Sequence, residues 1–181
     1  MSDIIRTDLI LGQSTVSHVF TVPIEKVDIA RWLFNLSEGE YQRCAPSEHI
    51  TTVSTTTDDG RRMLINVEIV DTYLLIQRFV GEITEKLHCK VVSLSDVVTP
   101  EGRSRVQAIW ESNMKAVGDG HGEYTSTITA HPTQAFLDSM KGLGVTFEQV
   151  AQTIQTGLAG HHSRETPLFA ESIARAARAN N

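Results

Sequence analysis

Three acid-Gly pairs, Asp59-Gly60, Glu101-Gly102 and Asp119-Gly120, punctuate the middle of this chain. Each stands between two stretches in which apolar and polar residues alternate. Glycine accepts the positive φ of a tight hairpin turn, so an acid-Gly pair between alternating runs predicts a hairpin. Three in succession predict an antiparallel meander. A strand and a helix precede it, and a helical segment built on Phe136, Met140, Phe147 and Ile154 follows. The expected fold class is α+β: a curved antiparallel sheet closed over by a C-terminal helical segment.

Alternation assigns faces strand by strand. Val16, His18, Phe20 and Val22 share one face of the first strand, with Ser17, Val19 and Thr21 opposite; Pro23 ends it. Helical spacing of Val27, Ala30, Arg31 and Phe34 predicts a helix from about Glu25 to Leu36, then a connector over 37–46. The threonine-rich run at 51–57 favours a strand through β-branching. Met63, Ile65, Val67 and Ile69 alternate with Arg62, Leu64, Asn66 and Glu68 and are expected to point inward. In the strand at 73–80 both faces are apolar: Tyr73, Leu75 and Phe79 on one, Leu74, Ile76 and Val80 on the other. Such a strand needs cover on both sides. Leu87, Cys89 and Val91 are expected inward, with a bulge at Val91-Val92. Val106, Ala108, Trp110 and Met114, then Tyr124, Ser126 and Ile128, complete the inner face.

The C-terminal third reads as helices. Pro132 suits a helix start. Phe136, Met140, Leu143, Phe147, Val150, Ile154 and Leu158 would form one stripe, but Gly142 and Gly144 are helix-ending residues. Thr146-Phe147-Glu148-Gln149 matches a capping box, with Val145 and Val150 as its staple. The prediction is two helices, about 133–141 and 147–160. Thr166-Pro167 then reads as a cap and first position of an extra helix running to about Arg178.

At 181 residues the chain fits one domain, taken as 1–181, with a core at about 13–160 and an extension at 161–181. No apolar run approaches the ~20 residues of a membrane span. The N-terminus, Met-Ser-Asp-Ile-Ile-Arg, has an acid where a signal peptide carries bases. Cys44 and Cys89 are too few for a disulfide framework. These features predict a reduced, cytoplasmic protein. A net charge of −6 without a basic cluster argues against a nucleic-acid partner.

The run Val19-Phe20-Thr21-Val22-Pro23-Ile24-Glu25-Lys26-Val27 carries a strand through proline into the first helix. Arg31-Trp32-Leu33-Phe34 follows, then Ala45-Pro46 before the meander. Over roughly residues 13–160 this order resembles the helix-grip fold of the START and birch-pollen-allergen-like (SRPBCC) superfamily. The resemblance implies an apolar cavity between sheet and helix. Members of that superfamily bind lipids, polyketides, hormones or other apolar molecules, and some are cyclases or aromatases.

In such a fold His18, Phe20, Met63, Ile65, Val67, Cys89, Val106, Trp110 and Tyr124 would face Phe136, Met140 and Phe147. That mostly apolar set with a few polar handles is the usual make-up of a ligand pocket. A filled core would use the same residues. His18 and Tyr124 are the acid-base candidates. His161-His162, with His131 and Glu165, lacks a recognisable metal-ligand spacing, so neither metal nor cofactor is expected. The expected function is binding of an apolar or amphipathic small molecule, lipid-like or polyketide-like. The alternatives are a cyclase-, aromatase- or hydrolase-like enzyme and a protein-interaction module with a filled core. The two-faced strand at 73–80 adds a possible homodimer, because exposed apolar patches mark association sites.

Overall fold

The computed structural model describes residues 3–100, 102–118 and 120–179. Seven strands form one curved antiparallel sheet: β1 (Gly12–Thr21), β2 (His49–Thr56), β3 (Arg62–Val70), β4 (Tyr73–Thr84), β5 (His88–Thr99), β6 (Gly102–Gly118) and β7 (His121–Pro132). Their order across the sheet is β1-β7-β6-β5-β4-β3-β2. Six strands follow one another as hairpins, and the first closes against the last, with Val16 opposite Ser126 and His18 opposite Tyr124. The turn glycines behave as their positions demand. Gly60, Gly102 and Gly120 have φ of 83°, 144° and 75°. Glu101 and Asp119, their expected turn partners, lie outside the described residues.

The helices are α1 (Ile29–Leu33), α2 (Glu38–Cys44), α3 (Gln134–Gly142) and α4 (Phe147–Ala179). The helix expected over 25–36 is interrupted. A 3-10 turn covers Ile24–Lys26, and Asp28 restarts the chain as α1 by accepting a hydrogen bond from the Arg31 N–H at 2.8 Å. Pro132 ends β7 instead of opening a helix; Thr133 is the cap of α3, its hydroxyl accepting from the Phe136 N–H at 3.1 Å. The capping box of α4 forms in both directions. The Gln149 N–H donates to the Thr146 hydroxyl at 3.3 Å, and the Gln149 side chain accepts from the Thr146 N–H at 3.0 Å. α3 and α4 are separated at 143–146, where the paired glycines predicted a break.

No second break follows. α4 runs 33 residues through Pro167. Proline removes one helical N–H. The orphaned carbonyl is that of Ser163, which lies on the exposed side of α4. Thr166 does not cap a new helix; its hydroxyl donates back to the His162 carbonyl at 2.7 Å. The energetic reason is burial. Phe169, Ala170, Ile173, Ala174 and Ala177 of this segment sit in the main core with Trp32, Leu33, Trp110 and Tyr124. Burying one such large side chain contributes about 1.5–3 kcal/mol, enough to carry the helix past the proline.

Two further expectations are corrected. The inner face of β3 is Leu64, Asn66, Glu68 and Val70; Met63, Ile65 and Val67 point outward, and Ile69 is exposed. Leu64 pairs with inward Phe79 and is fully buried, which sets the parity. On β5 alternation runs unbroken through Val91-Val92, and the irregularity lies on the partner strand between Gly81 and Ile83. Leu87 precedes β5 and is 38% exposed. The buried apolar residues form two clusters. The larger gathers around Trp32, Trp110 and Phe169, and the smaller around Leu11, Val97, Val106, Phe136 and Val150.

Candidate functional site

A cavity of about 110 Å³ separates those two clusters, between the concave face of the sheet and α4. Its apolar wall comes from both: Val97, Val106 and Phe136 on one side, Phe79, Trp110 and Phe169 on the other. Exposed Asp71 and Thr153 line the side facing solvent. The polar residues in the wall are Tyr41, Asn66, Glu68, Gln77, Ser95, His161 and Glu165.

Most of those polar groups belong to one buried network. His49, which opens β2, stands directly opposite Glu68 in the β2–β3 ladder. His161 and Glu165 sit four residues apart on α4, so they share a helix face. The four side chains converge. His49 Nε2 lies 3.2 Å from Glu165 Oε2 and 3.5 Å from Glu68 Oε2. His161 Nε2 lies 3.3 Å from Glu165 Oε2 and 3.7 Å from Glu68 Oε2. Around them, the Tyr41 hydroxyl donates to Glu68 Oε2 at 3.0 Å, and the Tyr41 ring stacks on His49 at 3.8 Å.

The second nitrogen of each imidazole is fixed by an oxygen. His49 Nδ1 is 2.7 Å from the Tyr41 carbonyl. A carbonyl only accepts, so Nδ1 carries the hydrogen and Nε2 faces the carboxylates. His161 Nδ1 is 3.1 Å from Glu48 Oε2. His161 Nε2 approaches Glu165 out of line, and it is the one buried side-chain polar atom among the described residues without a hydrogen bond.

Charge is strongly coupled here. Burial works to lower the pKa of His161, but the carboxylates of Glu165, Glu68 and Glu48 outweigh it and raise the pKa above the ordinary value. Burial likewise opposes ionisation of Glu165, yet His161 and His49 hold its carboxyl below the usual range. Burial first, then the charges of Glu68 and Glu165, push the Tyr41 hydroxyl well up, so it stays a neutral donor. His162, one residue on, faces elsewhere. It lies between the hydroxyls of Ser14 and Ser126, each at 2.8 Å, and burial lowers its pKa. Ser126 also accepts from the Trp110 indole N–H at 3.0 Å, which pins that ring against the cavity.

Of the residues proposed from sequence, Val106, Trp110 and Phe136 line the cavity. Met63, Ile65 and Val67 stand on the opposite face of the sheet. Cys89 and Tyr124 are inward but lie in the packed core away from the cavity. Burial pushes the Cys89 thiol up to about 12, leaving an inert thiol, and raises the Tyr124 hydroxyl, which hydrogen-bonds Ser112 at 3.0 Å. His18 and Phe20 are half-buried on β1, with rings 6.3 Å apart. Met140 and Phe147 pack against the smaller cluster at the α3–α4 junction, outside the cavity wall. His131 bonds the Leu9 carbonyl at 2.7 Å, far from His161 in role.

Sequence reasoning missed Tyr41, His49, Asn66, Glu68 and Gln77. One signal was available: the i,i+4 spacing of His161 and Glu165. It was hidden because Thr166-Pro167 reads as a helix start.

No protein-family model and no curated protein matches the sequence. Solved structures do match in shape. An aromatase/cyclase, Zhui, from Streptomyces sp. R1128 is similar at a TM-score of 0.58 and 13% identity, over 92% of this chain and 94% of that one. A conserved protein from Geobacillus kaustophilus gives 0.54 and 12%, over 92% and 95%. A START superfamily protein from Mycobacterium smegmatis gives 0.51 and 9%, over 93% and 99%. Identities this low speak to fold and leave function to the site. With a seven-stranded antiparallel sheet closed over one long C-terminal helix, this chain has the helix-grip fold of the START and birch-pollen-allergen-like proteins.

Proposed function

We propose that the chain binds an apolar or amphipathic small molecule in the cavity between the sheet and α4. The observation that carries this reading is the lining: aromatic and aliphatic walls, with polar groups gathered at Tyr41, Glu68, His161 and Glu165. A mostly apolar concavity with a few placed polar groups is the usual design of a small-molecule site. Its size limits the ligand. An engineered apolar void of about 150 Å³ admits benzene, and ligand pockets commonly reach ~300–1,000 Å³. A cavity of about 110 Å³ therefore suits a single ring as it stands. A lipid-like or polyketide-like ligand requires wall residues such as Tyr73, Leu75 and Phe136 to move aside. No helix of the described chain is long and apolar enough to cross a membrane.

Native mass spectrometry of freshly purified protein tests the reading directly, as a mass above that of the chain that disappears on denaturation. Trp110 fluorescence supplies a second readout, since its ring lines the cavity. Benzene-sized probes should perturb it in the natural protein, and Ala108→Leu, which fills the void, should abolish the response. If no ligand co-purifies and Trp110 ignores a panel of apolar probes in folded protein, the reading fails.

A second reading is acid-base chemistry on the bound molecule. It is favoured by the imidazole of His161 and the carboxylate of Glu165 at the cavity wall, with His49 behind them. It also fits the name of the Streptomyces neighbour, an aromatase/cyclase. Turnover of a cavity ligand that stops in folded His161→Gln separates it from simple binding.

A further inference from the structure

We propose that His49, Glu68, His161 and Glu165 bind one divalent first-row transition ion, with Zn²⁺ the best fit. The proposal stands apart from the small-molecule reading and does not depend on it.

Spacing is the first argument. Four ligands held about 2.0–2.2 Å from a tetrahedral centre lie about 3.3–3.6 Å from one another. The four nitrogen–oxygen edges of this group are 3.2, 3.5, 3.3 and 3.7 Å. The donor atoms of His49, Glu68 and His161 all fall within 4.8 Å of each other. Glu165 is not in that set of three, so completing the four requires its carboxylate to move toward Glu68.

The surroundings supply the second argument. Metal-binding imidazoles present one nitrogen to the ion and donate the other N–H to a carbonyl or carboxylate, which fixes tautomer and ring orientation. Both histidines do this, His49 through the Tyr41 carbonyl and His161 through Glu48 Oε2. Glu68 is oriented in turn by the Tyr41 hydroxyl. Backbone geometry sets the pairs: His49 and Glu68 are ladder partners, and His161 and Glu165 are one helical turn apart.

A third observation points to a missing ligand. His161 Nε2 aims into the group from a side chain only 3% exposed, yet forms no hydrogen bond. Burying an unpaired polar atom is costly, and a lone pair on that nitrogen would be satisfied by a cation. Without an ion the two buried carboxylates are compensated by the imidazoles beside them, since uncompensated buried charge is strongly unfavourable. A dication with two neutral imidazoles neutralises both. Donor chemistry narrows the ion. Imidazole nitrogens disfavour Mg²⁺ and Ca²⁺, and the absence of a thiolate among these four donors disfavours softer Cu⁺. Glu68, His161 and Glu165 also line the cavity, which puts the ion at its polar end.

The test is a Co²⁺ titration of chelator-stripped protein. The expected result is uptake of one equivalent, with the intense visible bands of four-coordinate Co²⁺, displaced by Zn²⁺. His161→Gln and Glu68→Gln should each weaken uptake about 10-fold or more, as should Glu48→Ala, which removes a positioning group (about 10–100-fold for such partners). His121→Gln, at the exposed start of β7, should leave it unchanged. Circular dichroism establishes that each variant is folded. Should the variants unfold, equilibrium dialysis of the natural protein decides alone. Failure to retain one equivalent of either Co²⁺ or Zn²⁺ at micromolar concentration overturns the proposal. So does undiminished uptake by folded His49→Gln/His161→Gln.

Discussion

On β6 the residues turned toward α4 include Val106, Ala108, Trp110 and Met114, while Arg105, Gln107 and Glu111 turn away. On β3 the inward residues are Leu64, Asn66, Glu68 and Val70, and Met63, Ile65 and Val67 turn away. The difference extends across the sheet. At the β1–β7 end the outer face is tied by hydroxyl pairs, Thr15 with Thr127 at 3.0 Å and Ser17 with Thr125 at 2.8 Å. At the β3–β5 end the outer face carries half-buried aliphatic rows, in which Met63 pairs with Val80 and Val80 with Val92. One half of the sheet therefore turns apolar residues and a few hydroxyls inward, and the other turns an amide and a carboxylate inward as well. The inward polar groups are tolerated because they are paired. The Thr52 hydroxyl donates to Asn66 at 2.7 Å, and Glu68 accepts from Tyr41. Period-2 alternation reveals that a strand has two kinds of face; it does not say which kind faces in.

The largest expected effect lies in the well-packed half. Phe169→Ala should cost about 3–5 kcal/mol in urea unfolding, because Phe169 is 2% exposed and touches Trp32, His49 and Trp110. A loss below about 1 kcal/mol would mean the core around it can collapse, weakening the contrast between the halves.

Adjacent positions on β3 sharpen the comparison. Glu68→Ala leaves the buried Tyr41 hydroxyl without its acceptor, at a cost of about 1–3 kcal/mol. Val67→Thr, one residue away on the outer face, should cost about 0.5 kcal/mol or less. The reverse order in matched urea titrations would overturn the assignment of faces.

A smaller effect is electrostatic and sits on the outer face. Asp96 pairs with Arg78 at 2.9 Å and Arg103 at 2.7 Å. Burial opposes its ionisation, but the two guanidinium groups hold its carboxyl below the usual range. The unfolded chain therefore takes up the proton first, near pH ~3.9. The contribution is full above that pH and is lost as pH falls through the folded value. The arginines are 46% and 63% exposed, so solvent screening keeps it to about 1 kcal/mol or less. Asp96→Asn should flatten the acid-side decline in urea midpoint relative to the natural protein; an unchanged slope would show that the pair contributes nothing.

Least costly to the fold, but informative about the outer rows, is Ile76→Lys. The segment 167–178 packs inside with Trp32 and Leu33 and so does not cover Leu74, Ile76 and Val80. A second copy of this chain is the cover we propose. Sedimentation equilibrium should detect a concentration-dependent dimer that Ile76→Lys dissociates, and a strict monomer at high concentration would remove the idea.

Much of the local architecture was legible. The positive-φ glycines, the Thr146–Gln149 capping box and the inner faces of β6 and β7 follow from preferences confined to a few neighbouring residues. The cavity wall was legible only in part. Val106, Trp110 and Phe136 were found because they obey the apolar-inward rule, and Asn66 and Glu68 were not because they break it.

The sequence by itself determined the strand and turn order, the caps and the periodicities, since each depends on residues within about a turn of helix or a hairpin. Tertiary structure decided which face of β3 is inside, that α4 continues through Pro167, and that His49 meets Glu165 across 116 residues of chain. The reason is physical. A buried carboxylate or imidazole is stable only when its partners arrive with it, and these partners come from β2, β3 and α4, which only the folded sheet brings together.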